Sequence, residues 1–287
     1  MRDLDQIALC NTRKAGCAAR ARCRPIGALC TATGLALLLT HCHVAADDSI
    51  VTDRPGFGES SDVVGKSRLQ IETSMALERN HADGVATRTL TTPTLFRYGV
   101  SDTLELRLET DGRVIERSRD DLSGQAMTQR GYADTSLGLK YHAMDQNGWR
   151  PSIGLLLHAD LPSGSSQFRG NGVRPSLRVA AEWELPSDYS LGAITGLVVD
   201  KNDTGKRFAA SLFGITLGLK LTEKTRVFAE LSAPQIARAE NGGTFARTDI
   251  GATYLLTKDC QIDTALSRGL NSNTPDLALT IGFSIRY

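Results

Sequence analysis

From residue 67 to the end of the chain, apolar and polar side chains alternate with a period of two. That is the pattern of strands with one apolar and one polar face. Leu69, Ile71, Met75 and Leu77 alternate with Gln70, Glu72, Ser74 and Glu78. Phe96 and Tyr98 flank Arg97; Leu104, Leu106 and Leu108 flank Glu105 and Arg107; Leu139 and Tyr141 flank Lys140. The second half repeats the pattern, with Leu177, Val179, Ala181 and Trp183 opposing Ser176, Arg178, Ala180 and Glu182. It closes on Leu277, Leu279, Ile281, Phe283, Ile285 and Tyr287. Counted this way, the periodicity predicts twelve strands.

The connections alternate in length. Tight turns are expected at 101–102, 145–148, 186–188, 222–224 and 257–259, and longer polar connections at 81–87, 112–131, 162–173, 200–206, 237–246 and 270–275. All the long ones fall on one side. Short periplasmic turns and longer outer loops are the layout of an outer-membrane barrel. The predicted fold is therefore an all-β, twelve-stranded antiparallel up-and-down transmembrane β-barrel of the outer-membrane type, over residues 67–287. Phe96, Tyr98, Tyr141, Trp183, Tyr189, Tyr254 and Tyr287 gather near the tight-turn ends, as amphipathic rings do at a membrane–water interface. A soluble all-β domain, a large calycin or a sandwich, also alternates. The many charges on the polar face, the alternating loop lengths and the final aromatic strand weigh against it.

Composition narrows the choice. With 41% hydrophobic residues and a mean hydropathy of −0.19, the chain does not read as a bundle of membrane helices. Its longest purely apolar run, Gly34 to Leu39, is far shorter than the roughly 20 residues a spanning helix needs. Six bases fall in residues 1–46, leaving 27 bases against 30 acids beyond, so no basic block remains and nucleic acid is excluded as a partner. Five of the six cysteines also fall in residues 1–46, which excludes a disulfide framework or structural zinc site from the main body; Cys260 reads as an incidental thiol.

Residues 1–24 are basic, Ile26 to Leu39 form an uncharged core, and Val44-Ala45-Ala46 precede Asp47-Asp48. This is a secretory signal pattern, with cleavage expected after Ala46 and export to the outer membrane of a Gram-negative bacterium. A retained anchor fits less well because the core is short, and a lipoprotein signal at Cys42 fits less well because His41 is not small. Residues 47–66 then form a periplasmic segment. Pro55 and Gly56 discourage regular pairing, so the segment is either a linker, the plainer reading, or a small plug whose Asp53 or Arg54 pairs with charges in the lumen.

The inward face carries the candidate pore-lining residues Arg97, Glu105, Arg107, Glu109, Lys140, His158, Asp160, Arg178, Glu182, Glu184 and Glu230. Mixed charges of this kind tune selectivity in a water-filled lumen, or pair with one another and fill a narrow barrel. No catalytic, cofactor-binding or metal-ligating residue is assigned, and no cofactor is implied. A lipase or esterase site using His158 and Asp160 is an alternative, but no nucleophile-elbow pattern accompanies them. His142 and His158 lie toward opposite strand ends, which argues against a shared metal. The expected partners are outer-membrane lipid, the barrel-assembly machinery and a small solute that the sequence does not name.

Certain motifs add a resemblance. Thr52-Asp53-Arg54-Pro55-Gly56-Phe57 with Glu59-Ser60 precedes the first strand. Leu95-Phe96-Arg97-Tyr98-Gly99-Val100-Ser101-Asp102-Thr103-Leu104-Glu105-Leu106-Arg107, Leu137-Gly138-Leu139-Lys140-Tyr141 and Leu161-Pro162-Ser163-Gly164 follow in order. Together they resemble the outer-membrane transporter family described as "MetA-pathway of phenol degradation", over most of residues 50–287. The chain departs from that pattern at Gly56-Phe57, where an acidic residue is more usual before Phe or Thr. The resemblance implies a barrel that moves aromatic or other small molecules, and it supplies no catalytic residues.

Overall fold

The computed structural model describes residues 49–202 and 204–287. The leader and its expected cleavage position after Ala46 lie outside the described residues.

Alternation produces the strands that the period predicts. They are β1 (Leu69–Ala82), β2 (Val85–Thr91), β3 (Thr94–Gly99), β4 (Leu104–Thr110), β5 (Arg113–Asp120), β6 (Ala126–Tyr132), β7 (Thr135–Met144) and β8 (Ser152–Leu161). There follow β9 (Arg174–Glu184), β10 (Tyr189–Lys201), β11 (Arg207–Lys220), β12 (Thr225–Ile236), β13 (Phe245–Thr257), β14 (Cys260–Gly269) and β15 (Leu277–Arg286). Twelve of these, β1, β3, β4 and β7 to β15, form the ring. It closes where β15 pairs antiparallel with β1, from Gln70 opposite Arg286 to Arg79 opposite Leu277. Tyr287 and Leu69 exchange both main-chain hydrogen bonds at the seam, at 2.8 and 3.2 Å. Closure satisfies the edge groups that hydrocarbon could not.

The remaining segments, β2, β5 and β6, continue the second, third and fourth staves beyond the ring. β2 pairs with the far half of β1, β5 with β2, and β6 with β5. Each stave breaks once, at Thr92-Pro93, Asp111-Gly112 and Ala133-Asp134. Pro93 has no N–H to offer the ladder. The breaks lie side by side and are tied by Thr92 N–H to the Asp111 carbonyl (3.0 Å) and Ala133 N–H to the Gly112 carbonyl (2.8 Å).

Two connections read as long polar loops are therefore mostly paired. In 81–87 the chain reverses at Asp83-Gly84, whose φ values of 52° and 75° suit a tight hairpin turn that favours glycine. In 112–131 a second hairpin turns at 121–125. Their polarity read as loop, and because β2, β5 and β6 carry polar and charged residues on both faces, periodicity did not register them as strands. In the other direction, the tight turn expected at 145–148 spans the seven residues between β7 and β8.

The apolar stripe faces outward throughout. Leu106, Leu139, Leu157, Leu177, Leu217, Ile250 and Ile281 are all exposed, and the large buried side chains are instead mainly polar. This inverts the arrangement of a water-soluble fold and excludes the calycin and sandwich alternatives. Leu157 lies in the middle of this band, opposite Leu139 on one side and Leu177 on the other. Leu157→Arg should lower the unfolding free energy in lipid vesicles by about 2–4 kcal/mol. Leu122→Arg, at the exposed tip of the β5–β6 hairpin, should leave the urea midpoint unchanged.

Candidate functional site

The barrel interior holds a buried charge cluster. Strand alternation turns Arg97 (β3), Glu105 and Arg107 (β4), Lys140 (β7) and Glu72 (β1) inward, and all five are buried. Arg97 Nε and Nη2 reach the two Glu105 carboxylate oxygens at 2.9 and 3.0 Å, and its Nη1 reaches Glu72 at 3.0 Å. Arg107 Nη1 donates to Glu105 at 2.9 Å. These wall residues alone are three cations against two carboxylates, and a buried charge without a partner is costly.

The balancing charge comes from the segment ahead of β1. Residues 50–64 run inside the barrel, tethered at one end by the Ile50 N–H to the Lys258 carbonyl (2.7 Å) and at the other by the Val64 N–H to Glu105 (3.0 Å). Asp53 meets all three cations. Lys140 Nζ bonds both its carboxylate oxygens at 2.9 and 2.8 Å, Arg107 bonds one, and Arg97 lies 3.6 Å away. Glu59 pairs with Arg107 and with Arg178 of β9.

The segment's main chain is bonded to the wall as well. Glu182 accepts the Ser61 N–H at 2.6 Å and the Ser61 hydroxyl at 2.7 Å. Glu230 accepts the Phe57 and Gly58 N–H groups at 2.7 and 2.9 Å, and the Thr216 hydroxyl at 2.7 Å. A charged acceptor for a loop N–H makes a short, strong bond. Arg54 leans toward Asp263, with its Nη2 3.6 Å from the carboxylate.

Close approach explains two glycines. A Cβ on Gly154 would sit 2.8 Å from Ser61 Cα, so only glycine lets the segment lie against β8. A Cβ on Gly56 would sit 2.9 Å from a Glu230 carboxylate oxygen. An acid at position 56 would therefore face the Glu230 carboxylate directly, which accounts physically for the departure at Gly56-Phe57.

The sequence-derived candidates thus separate into groups. Arg97, Glu105, Arg107, Lys140, Glu182 and Glu230 face inward and bind the segment. Glu109, Asp160 and Arg178 lie on the loop side and line a cavity of about 360 Å³ with Asp111, Asp134, Arg174 and Asp200. Glu184 is exposed at the tight-turn rim beside Arg226, at the edge of a second cavity of about 440 Å³ that reaches the segment from below. Asp53 and Arg54 are both in the segment. Alternation places Glu72 on the polar, inward face, whereas the wall residue Thr216 and the segment residues Glu59, Ser60 and Ser61 are not among the sequence candidates. The motif containing Glu59-Ser60 is the one sequence signal of the segment residues.

His158 is buried, with Nδ1 3.8 Å from Glu109 and Nε2 without a partner. Asp160 is instead bonded to the Ser136 hydroxyl and, at 2.8 Å, to Arg174. Among the described residues no hydrogen bond joins His158 to a serine or to Asp160, so the relay that acyl transfer requires is not assembled. No group of three potential metal ligands occurs among the described residues.

Burial alone would push the segment's carboxyls up. For Asp53 the surrounding Arg97, Lys140 and Arg107 overturn that and hold it well below the usual range. For Glu59, Arg107 and Arg178 outweigh burial and bring it down to about 2.

The family model described as "Putative MetA-pathway of phenol degradation" matches residues 52–287. No curated protein sequence matches the chain. Among solved structures, an outer membrane channel from Pseudomonas putida F1 superposes with a TM-score of 0.59 at 13% identity, covering 82% of this chain and 99% of that one. The KdgM porin gives 0.47 at 14% identity, with 75% and 98% covered. The CymD monoaromatic hydrocarbon channel gives 0.37 at 12% identity, with 78% and 88% covered.

The depressed carboxyls set the pH dependence of docking. Their contribution is complete above the unfolded carboxylate values of roughly 3.9–4.3 and is lost as pH falls through the folded ones. The protection of the 50–64 amides relative to their intrinsic exchange rate should hold from neutrality to about pH 4 and fall as pH approaches 2. Asp53→Asn should lower that protection at neutral pH by about two to four orders of magnitude, since breaking a buried pair costs about 3–5 kcal/mol. Unchanged exchange in that variant would mean the segment is held by something else.

Proposed function

The chain belongs to the MetA-pathway family that matches it, and we propose that it is a channel for small polar or amphipathic molecules across the outer membrane, closed at rest by residues 50–64. The observation that carries this reading is the position of the two cavities. One, predominantly polar, opens toward the loops, and the other, of mixed polar and apolar lining, opens toward the tight turns with Glu59 of the segment in its wall. A solid structural barrel has no use for a removable stopper made of main chain and charges. The segment is not a strand of the ring and is bonded to it through side chains, so it can move without unpairing the wall.

In this reading the leader is cleaved after Ala46. The loop-side cavity, with five carboxylates and two arginines, favours cations or solutes rich in hydrogen-bond donors. Aromatic compounds are candidate solutes in this reading, a choice supported by the family's description. An enzymatic role is not supported by the arrangement around His158.

Single-channel recording tests the proposal. The wild-type barrel in a planar bilayer should show brief openings with cation preference. Glu59→Gln, which releases Arg107 and Arg178, should raise the open fraction roughly tenfold, the effect of about 1.4 kcal/mol on a two-state gate. Absence of current from both proteins would reject a channel.

A further inference from the structure

The outward face of the four contiguous segments β1, β2, β5 and β6 is rich in arginine. Leu77, Leu90 and Ile115 stand in one cross-strand row, and Arg79, Arg88 and Arg117 stand directly opposite one another in the next. On the same outward face Arg119 lies beyond this row, Arg130 stands opposite Ile115, and Arg113 lies one step nearer the ring. All six arginines are exposed. No carboxylate projects outward from these four segments. None of the six makes a salt bridge or side-chain hydrogen bond with a described residue. At the loop end Asp121 is bonded to the His81 ring at 2.7 Å and Asp276 accepts the His81 main-chain N–H at 2.8 Å.

Like charges placed opposite each other on neighbouring strands repel. Composition does not explain the row, because the chain beyond residue 46 has more acids than bases. No side chain among the described residues compensates the row, which leaves the six guanidinium groups open to an anion from outside the protein. The row begins one position beyond the last outward aliphatic residues, on the loop side of the apolar band. The anionic groups found at that depth are those of the outer-leaflet lipid, and a guanidinium fork matches a phosphate.

We propose that this face binds the phosphate groups of an outer-leaflet phosphoglycolipid whose acyl chains lie against Leu77, Leu90 and Ile115. The proposal rests on the outer-membrane placement of the apolar band and is independent of channel activity. A soluble polyanion would have no reason to meet arginines aligned with that band.

The test uses the full barrel in a neutral detergent, titrated with lipid A carrying its phosphates, with the same lipid dephosphorylated, with phosphatidylcholine and with inositol hexakisphosphate. Binding is read by native mass spectrometry and by the shift in thermal unfolding. Phosphorylated lipid A should bind and raise the unfolding temperature, and the other three should bind more weakly. Arg88→Gln with Arg117→Gln should weaken lipid A binding roughly tenfold or more, whereas Arg226→Gln at the opposite rim should not. Equal binding of the dephosphorylated lipid, or unchanged binding by the double variant, would overturn the proposal. So would inositol hexakisphosphate binding as tightly as lipid A, which would indicate a soluble anion instead. Single-channel current from the double variant should match wild type whichever result is obtained.

Discussion

A strand that crosses hydrocarbon must have every main-chain group bonded to a neighbour and every outward side chain apolar. The ring from β1 to β15 meets the first demand by closing on itself, and the second by turning its leucines, isoleucines and aromatics outward. The polar residues of an alternating strand then have one place left to go. Half of each strand's side chains are committed to the interior, and many of these are charged. The contents of the lumen follow from what those charges need.

What they need is neutrality. Arg97, Arg107 and Lys140 outnumber Glu72 and Glu105 in the buried cluster, and Asp53 makes up the difference. One carboxylate therefore determines where the N-terminal segment lies. The remaining contacts follow from that placement: Glu182 and Glu230 take the segment's N–H groups, and Gly154 gives it room. Electrostatics of this kind resist ordinary changes of pH but respond to the loss of a single partner, which suits a stopper better than a structural core.

The ring was legible in the sequence because its strands have two different solvents, lipid and lumen, and so alternate. Phe96-Arg97-Tyr98 and Leu104-Glu105-Leu106-Arg107-Leu108 announce both face and element. β2, β5 and β6 were not legible as strands, because polar and charged residues at both parities leave no stripe to read. The interior cluster was legible as residues but not as contacts. Arg97, Arg107 and Lys140 could be assigned to the inner face by parity, whereas their pairing with Asp53 depends on a segment without periodicity folding back into the ring. The arginine row outside the barrel was hidden for a similar reason: Arg79, Arg88 and Arg117 are far apart in sequence, and only the register sets them side by side.

The central claim is that residues 50–64 occupy and close the lumen. The Ser61 and Ser152 hydroxyls are 2.8 Å apart, so cysteines at both positions, in a Cys260→Ser background, should form a disulfide on mild oxidation. Conductance of this barrel should vanish when it is oxidised and return on reduction. Failure to cross-link in the folded barrel, or equal current in the two redox states, would contradict the account.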